Sequence, residues 1–220
     1  MNSLPTLDHE IELWKKGYIV IGVDEVGRGA FAGPLFVGGV IFNPTTSYEQ
    51  KTRLLSYGIN DSKKLKPNAR KMLSKIIQNE SLVYHISAVN VNTINRIGIG
   101  KATFLAMRDV VKCLREKLKD EKIFVLIDKF YVKRLNGIGL KNQKGIIHGD
   151  EISLSIAAAS IIAKVARDRH MRKLSAKYKV YGWGRNKGYG TKKHQEAIRN
   201  LGITNFHRKA FIKNLYSVNR

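Results

Sequence analysis

Four carboxylates of this chain share one placement: each closely follows an apolar segment that is predicted to form a strand. They are Asp24, Glu25, Asp128 and Asp150. A carboxylate near a protein core is costly unless it is paired or binds a metal ion. Hard divalent cations such as Mg²⁺ prefer oxygen ligands of this kind. Together the four acids predict a metal site, although a single acid of this kind is more simply explained as a turn or capping residue.

The predicted metal site suits the hydrolysis of phosphodiesters. Two divalent ions about 3.5–4 Å apart can activate water and neutralise the anionic transition state of this reaction. The chain has 17 acidic residues against 40 basic ones, so the placement of its acids is informative. The sequence therefore predicts a metal-dependent nuclease.

Three of the acids need separate comment. Asp150 taken alone is better explained as a cap of the helix that follows it. Asp24 and Glu25 are neighbours, and consecutive residues of a strand point to opposite faces. We therefore expect the strand to break at this point, and Gly27 and Gly29 are consistent with a break.

The glycine-rich segment from Gly27 to Gly33 also resembles a dinucleotide-binding fingerprint. That fingerprint must open a helix whose N-terminus meets a pyrophosphate, whereas Pro34 and an apolar, β-rich segment follow here. Two carboxylates also precede the first glycine and would repel phosphate. A nucleotide-cofactor enzyme is therefore disfavoured, and the element after Gly33, a helix or a strand, discriminates between the interpretations.

The whole chain is strongly basic, with a formal net charge of +23 and a pI of about 10.2. Such a surplus of Lys and Arg favours binding to the phosphate backbone of nucleic acids. A non-catalytic basic nucleic-acid-binding protein would have the same charge but would not need four converging carboxylates. The acids therefore favour a nuclease over this alternative.

Cysteine content and hydropathy predict a cytoplasmic protein without a membrane segment. The single cysteine, Cys113, excludes an intramolecular disulfide and a multi-cysteine zinc site, and it fits a reducing compartment. The N-terminus lacks the basic and apolar layout of a signal peptide. No apolar run approaches the roughly 20 residues that span a bilayer.

The periodicity of apolar residues predicts the elements that position the acids. Strands are predicted over 18–24, 35–42, 82–89, 123–127 and 143–148, and helices over 7–17, 67–77, 101–118, 152–166 with a basic continuation to 177, and 191–201. The first two strands are expected to be antiparallel because too few residues join them for a crossover. The result is a mixed α/β sheet in a single domain over 1–220, with a core over about 18–180 and a helical C-terminal part over about 181–220.

Three lysines precede the helix that is predicted to begin at Pro67, namely Lys63, Lys64 and Lys66. The free amides of a helix N-terminus can help such lysines to bind phosphate. A solvated basic loop explains the segment equally well, and on these residues alone both interpretations stay open.

Several motifs, in order along the chain, resemble those of the type 2 ribonucleases H, the ribonuclease HII family. They are Asp24-Glu25-Val26-Gly27-Arg28-Gly29, Asp61-Ser62-Lys63-Lys64-Leu65, Ile127-Asp128, Gly149-Asp150, residues 157–168 and Lys187-Gly188-Tyr189-Gly190-Thr191. The match runs from about residue 18 to residue 211 and is far more specific than any single motif. The related type 3 enzymes carry an extra N-terminal domain and lack the Gly-Arg-Gly turn, so type 2 is preferred.

The resemblance implies a ribonuclease H-like fold, with a five-stranded mixed sheet flanked by helices and a small helical C-terminal part that contacts substrate. It implies an endonuclease that hydrolyses the RNA strand of RNA–DNA hybrids with Mg²⁺ or Mn²⁺. It also implies cleavage on the 5′ side of single ribonucleotides embedded in duplex DNA, by two-metal catalysis that leaves 3′-hydroxyl and 5′-phosphate ends. The protein is expected to be a monomer.

The same resemblance implies roles for individual residues. The metal-binding acids of the family match Asp24, Glu25, Asp128 and Asp150. The turn Gly27-Arg28-Gly29 matches the element that senses the 2′-hydroxyl, largely through backbone groups that glycine exposes. Tyr189 matches the tyrosine that contacts the 2′-hydroxyl and stacks on the deoxyribose after the ribonucleotide. The expected phosphate contacts are Lys63, Lys64 and Lys164.

Asp168 also lies in a matching motif but is expected to form a structural salt bridge. In a continuous helix it would lie roughly 27 Å from Asp150, too far to share a metal. Two positions depart from the family pattern, since Lys129 stands where glycine is usual and His148 where lysine is usual. These departures concern local substrate contacts and not the metal ligands.

Overall fold

The apolar segments of the chain form a five-stranded mixed sheet. The computed structural model describes residues 4–118, 121–135 and 137–216, so both ends of the predicted domain lie outside the described residues. The strands are β1 Ile19–Val26, β2 Leu35–Ile41, β3 Val83–Val89, β4 Ile123–Asp128 and β5 Gln143–Ile146. Their order across the sheet is β3-β2-β1-β4-β5.

Strand pairing confirms the predicted mixed sheet. β1 pairs antiparallel with β2, as expected, and parallel with β4. β1 runs on through Glu25 to Val26, which pairs with Phe36 of β2, so the expected break is wrong. The strand continues because β2 supplies backbone partners along that edge, whereas the pairing with β4 ends at Val23.

Ten α-helices surround the sheet in the described part of the chain. They are α1 Asp8–Lys15, α2 Tyr48–Ser56, α3 Pro67–Glu80, α4 Val91–Ile97, α5 Ile99–Glu116, α6 Gly149–Ile152, α7 Leu154–Lys177, α8 Trp183–Asn186, α9 Lys192–Leu201 and α10 Lys209–Tyr216. α5 packs on one face of the sheet and α7 on the other. None of the helices described here is both long enough and apolar enough to cross a membrane.

Small residues let these two helices lie directly on the central strands. A Cβ atom on Gly38 would collide with the carbonyl oxygen of Ala159 in α7, and one on Gly39 would collide with Val110 in α5. Glycine in the middle of a strand marks such a close approach. The contact matters for the site because it brings the polar residues of α7 to the end of β1.

The helices differ from the prediction in three places. α2 and α4 lie in segments for which no helix was predicted, although Ser47 and Gln50 form a capping box at the start of α2. The buried helix predicted from residue 152 begins at Leu154, because Ser153 caps it and the short α6 precedes it. Asp150 lies inside α6, so its explanation as a helix cap is wrong.

The C-terminal helices pack around an aromatic cluster. Trp183 is fully buried, and its ring stacks on Tyr181 with centroids 5.2 Å apart. The cluster includes Ala32, from the segment between β1 and β2, and Met171 of α7. The C-terminal helices therefore pack directly against the residues that follow the first pair of acids.

Candidate active site

A cavity of about 350 Å³ lies at the carboxyl ends of β1 and β4. Open α/β sheets bind their ligands at this end of parallel strands. Of the eleven residues predicted for the site, nine line the cavity: Asp24, Glu25, Gly27, Arg28, Gly29, Lys63, Asp128, Lys164 and Tyr189. The remaining two, Asp150 and Lys64, lie outside its lining.

Parallel pairing brings the acids to one end of the sheet. The last parallel pair of β1 and β4 lies one residue before Asp24 and Asp128, which therefore sit on adjacent strand ends. The N–H of Gly149 donates to Asp128 Oδ1 at 2.9 Å, and this bond ties the start of α6 to β4. Asp24, Asp128 and Asp150 are each only 4% exposed, which is unusual for carboxylates.

Asp24 and Glu25 reach the same cavity although β1 does not break between them. Asp24 forms a hydrogen bond with Ser160 of α7. Glu25 Oε1 instead lies 3.7 Å from Arg28 Nη1. The two side chains leave the strand in different directions, as alternation requires. Both border the cavity because the pairing with β4 has already ended at Val23.

Burial and mutual repulsion change the acidity of these groups. Burial raises the pKa of Asp24 well above its usual value, and the charges of three neighbours add to the effect: Glu25, Asp128 and Asp150. Burial likewise raises the pKa of Glu25 to about 7, although the charge of Arg28 opposes it. Such mutual effects place the four carboxylates in one electrostatic environment.

The acids have the chemistry that a divalent cation requires. Glu25 Oε2 is buried and has no hydrogen-bond partner within the described part of the chain. A buried carboxylate oxygen in this state is costly unless a cation or a proton satisfies it. The donor set consists of carboxylate oxygens, which suit hard ions such as Mg²⁺ and Mn²⁺. The residues therefore fit a divalent-metal site.

The lysines predicted to contact phosphate each pair with an acid. The nitrogen–oxygen distances are 3.1 Å for Lys63–Asp150, 2.8 Å for Lys64–Glu151 and 2.7 Å for Lys164–Asp168. The salt bridge expected for Asp168 is thus confirmed, and Arg70 lies 3.8 Å from its other oxygen. The side chain of Lys63 is nevertheless 72% exposed, so it remains accessible to a ligand.

The turn Gly27-Arg28-Gly29 forms one wall of the cavity. Gly27 has a φ of +90°, and a Cβ atom there would collide with the guanidinium of Arg167. The fold itself therefore requires glycine at 27. Gly29 is exposed, and the position of a Cβ atom on it lies in open space. The fold does not explain the glycine at 29, which leaves room for a ligand to approach the backbone.

Cations contact aromatic rings around the cavity. The guanidinium carbon of Arg28 lies 5.0 Å from the ring centroid of Phe130. Lys164 Nζ and Arg167 Cζ lie 5.9 Å and 5.4 Å from the ring centroid of Tyr189. Tyr189 is 36% exposed, so part of its ring remains available for stacking.

The two departures from the family pattern share a backbone conformation. Lys129 has a φ of +75° and His148 a φ of +55°, both in the left-handed region that favours glycine. Glycine would adopt this conformation at position 129 without strain. Lys129 Nζ lies 3.4 Å from Asp128 Oδ2, so the lysine adds a positive charge beside the acids that glycine would not provide.

Two arginines that support the site were not predicted. Arg167 and Arg208 are fully buried and donate hydrogen bonds to backbone carbonyls of residues 27–34. Each lies in a basic stretch of sequence, where a solvated side chain is the ordinary expectation. No local signal indicated their burial. The cavity lining also includes Ser62, Lys129 and Ser160.

The segment after the turn decides between the two interpretations of its glycines. β2 begins at Leu35, so a strand and not a helix follows Gly33. The dinucleotide-binding interpretation is therefore excluded. A larger cavity of about 850 Å³ lies beside α8 and α9, but its lining contains no carboxylate among the residues described. The acids in its lining, and not its volume, make the smaller cavity the candidate active site.

Comparison with known proteins identifies the family. The family model described as Ribonuclease HII matches residues 21–214. A ribonuclease HII from Caldicellulosiruptor bescii is 41% identical over 210 residues, which cover 95% of this chain and 94% of that protein. One from Clostridioides difficile is 43% identical over 207 residues, which cover 94% of this chain and 75% of that protein.

Solved structures have the same fold. A chain of the PCNA:RNase HII complex from Archaeoglobus fulgidus is 26% identical, with a TM-score of 0.70 and coverage of 90% of this chain and 97% of that chain. Bst-RNase HIII in complex with Mn²⁺ is 20% identical, with a TM-score of 0.72 and coverage of 93% and 71%, and this likeness concerns the fold alone. The predicted ribonuclease H-like fold is confirmed, and the chain belongs to the ribonuclease HII family of endonucleases.

Proposed function

We propose that the chain hydrolyses the RNA strand of RNA–DNA hybrids and cuts on the 5′ side of single ribonucleotides in duplex DNA, leaving 3′-hydroxyl and 5′-phosphate ends. One observation carries the proposal: buried acids and the turn Gly27-Arg28-Gly29 line the same cavity. A phosphate beside the acids would place its ribose near exposed backbone of the turn. The 2′-hydroxyl of that ribose is the group that distinguishes RNA from DNA.

The acids would hold the catalytic cations, Mg²⁺ or Mn²⁺. The residues proposed as ligands are Asp24, Glu25, Asp128 and Asp150. When bound, such ions activate water and offset the negative charge that develops on the phosphate. Burial keeps these carboxylates away from bulk water and strengthens their electrostatic effects. Burial raises the pKa of Glu25 to about 7 in the metal-free protein, so a cation that binds near neutral pH must displace a proton from this carboxyl.

The remaining residues of the cavity would select and orient the nucleotide. Gly29 leaves space for a ribose to approach the backbone, and the exposed part of Tyr189 offers a surface on which the next sugar can stack. Lys63, Lys64 and Lys164 are proposed to contact phosphates. Fixing the substrate in one geometry is itself a large part of the rate advantage of an enzyme.

A DNA duplex that carries one ribonucleotide tests the proposal. The intact chain should nick this duplex with Mg²⁺ or Mn²⁺, should stop when a chelator is added, and should leave the matching all-DNA duplex intact. Asp128→Asn should slow nicking by about 10²–10³-fold or more, because it removes a charged ligand from the site. Asp109→Asn, which changes an exposed acid of α5, is the matched control. Full activity of Asp128→Asn would contradict the proposal.

The oligomeric state and the cellular location complete the proposal. We propose that the protein acts as a monomer in the cytoplasm, where a chain with a single cysteine stays reduced. Light scattering should then give a mass near 24.9 kDa. The C-terminal part is proposed to contact the duplex, and the basic residues beside α8 and α9 support this proposal: Lys179, Arg185, Lys192 and Lys193.

A further inference from the structure

Two fully buried arginines, Arg167 and Arg208, lie directly behind the turn that borders the active site. Arg167 belongs to α7, whereas Arg208 lies just before α10. Arginine is almost never fully buried unless it is paired, because removing its charge from water is costly. Their position therefore requires a specific explanation.

Arg167 joins the segment after the turn to the segment that carries Tyr189. Its Nε donates to the carbonyl of Pro34 at 3.0 Å, and its Nη2 donates to that of Ala32 at 3.2 Å. Its Nη1 donates to the carbonyl of Lys187 at 2.9 Å. One guanidinium thus fixes two walls of the cavity relative to each other.

Arg208 holds the turn itself. Its Nη1 donates to the carbonyl oxygens of Gly27 and Arg28 at 2.7 Å and 2.9 Å, and its Nε donates to that of Gly33 at 2.9 Å. Its own backbone N–H donates to the carbonyl of Phe31 at 2.7 Å. Three side-chain bonds and one backbone bond therefore fasten residues 27–33 to the C-terminal part of the chain.

The stabilising partners of Arg208 are carbonyls rather than carboxylates. Burial, with the nearby charge of Arg167, lowers the pKa of Arg208 to about 9. Its Nη2 is buried and has no hydrogen-bond partner among the residues described. Replacing such buried charges by apolar residues is often neutral or stabilising in other proteins. A contribution to the stability of the fold therefore does not explain why Arg208 is buried here. Its hydrogen bonds to the backbone of residues 27–33, which fix the conformation of that segment, do explain it.

The direction of the carbonyls has a consequence for the cavity. In a trans peptide the C=O and the following N–H point in opposite directions. Because Arg208 draws the carbonyls of Gly27 and Arg28 inward, the N–H groups of Arg28 and Gly29 point away from it. Arg28 and Gly29 are exposed and border the cavity. These two N–H groups are thereby directed outward, as donors for a ligand oxygen.

We propose that Arg208, assisted by Arg167, is a positioning residue that holds the turn with its carbonyls inward and its N–H groups toward the substrate. The inference rests on the proposed function, since the ligand oxygen is taken to be the 2′-hydroxyl of a ribonucleotide. The proposal gives the C-terminal part a second role besides contact with the duplex. This role is to hold in place the turn Gly27-Arg28-Gly29, which is proposed to recognise the 2′-hydroxyl.

Hydrogen exchange of the free enzyme tests the anchoring without substrate. In Arg208→Met, the amides of residues 30–33 should exchange about tenfold faster or more, because each lost bond to a buried charge weakens the segment. The amides of α5 should exchange as before. Arg208→Lys keeps the charge and should give an intermediate effect, which also serves if the methionine variant does not fold. Unchanged exchange of residues 30–33 in both variants would overturn the proposal.

Measurements of duplex affinity then test whether this anchoring serves the recognition of a ribonucleotide. The ratio of affinities for a duplex with one ribonucleotide and for the matching all-DNA duplex should fall about tenfold in Arg208→Met, while affinity for the all-DNA duplex changes less than about twofold. Arg108→Met, which removes a half-buried arginine of α5 that donates to the carbonyl of Lys133, is the control and should leave the ratio unchanged. Faster exchange with an unchanged ratio would overturn the positioning role. Absence of ribonucleotide preference in the intact chain would instead refute the proposed function.

Discussion

The burial and the raised pKa of Asp24 are the clearest physical signs of an unusual environment in the candidate site. It is buried beside other acids, and both burial and the charge of Glu25 raise its pKa. An ionised carboxylate in this position destabilises the folded chain unless a cation offsets it. This cost in stability is consistent with the role of Asp24 as a proposed metal ligand.

We expect Asp24→Asn to stabilise the metal-free protein. The amide removes a buried charge, and its oxygen can still accept the bond that Asp24 Oδ1 receives from the N–H of Glu25 at 2.7 Å. In chelator, urea unfolding should give a free energy of unfolding higher by on the order of 1–3 kcal/mol. Added Mg²⁺ should stabilise the unchanged chain and not the variant. A variant that is less stable in chelator would contradict this account.

Gly27 and Gly29 should respond differently to substitution by alanine. At Gly27 a Cβ atom meets Arg167 and φ is positive, so Gly27→Ala should lower the free energy of unfolding by about 2–4 kcal/mol. Gly29→Ala should change it by less than about 0.5 kcal/mol, since that Cβ lies in open space. Gly29→Ala should nevertheless slow cleavage at a single ribonucleotide about tenfold or more, because the methyl group blocks close approach. Thermal unfolding and cleavage, measured on both variants, check the pair.

Among the elements, the C-terminal helices depend on two neutral histidines. His207 Nδ1 accepts from the N–H of Thr204 at 2.9 Å, so its proton lies on Nε2, which faces His194 Nε2 at 3.3 Å. His194 Nε2 also accepts from Trp183 Nε1 at 3.0 Å, and its Nδ1 donates to the carbonyl of Tyr189. The network is satisfied only while both rings are neutral.

Stability should therefore fall in acid through His207. Burial, with the charge of His194, lowers the pKa of His207 from 6.5 to about 4, so the unfolded chain binds the proton first. The contribution is complete above pH 6.5 and is lost as the pH falls towards 4, amounting to on the order of 3 kcal/mol. Urea unfolding between pH 8 and pH 4.5 should show the fall, and His207→Gln should flatten it. An equally steep fall in that variant would assign the effect to other groups.

For the whole molecule, charge governs the encounter with substrate. The net charge of +23 attracts the phosphate backbone, and the acids proposed to bind the catalytic cations form a small negative region within that positive field. Such attraction does not depend on base sequence. It suits an enzyme that must find a sugar rather than a base.

Binding to an all-DNA duplex should depend steeply on salt. If four phosphates are contacted, affinity should fall by roughly a hundredfold between 50 and 200 mM NaCl, because bound counterions are released. Lys192→Gln combined with Lys193→Gln should reduce the logarithmic slope by about two if both lysines contact phosphates. Lys112→Gln, on the face of the sheet opposite α7, should leave the slope unchanged. An unaltered slope in the double variant would remove these lysines from the interface.

Local sequence patterns were sufficient to predict the class of fold, the family and most of the residues that line the candidate site. Strand-like runs that end in acids, and the motif Gly27-Arg28-Gly29, are local patterns. Such patterns can be recognised without knowledge of the fold. Nine of the eleven predicted site residues line one cavity for this reason. The same patterns misjudged the end of β1, which continues because β2 pairs with it, and the cap role of Asp150, because Ser153 caps α7 instead.

The residues that support the candidate site became apparent only from the folded structure. The bond from Arg208 to the carbonyl of Gly27 spans 181 residues, and no periodicity reports a contact of that separation. The local sequence also does not indicate that a charged side chain is buried. Arg167 is buried although it lies in a basic stretch that resembles a solvated helix face. Local sequence encodes the groups that do chemistry, whereas packing between distant segments decides which groups are buried and what they hold in place.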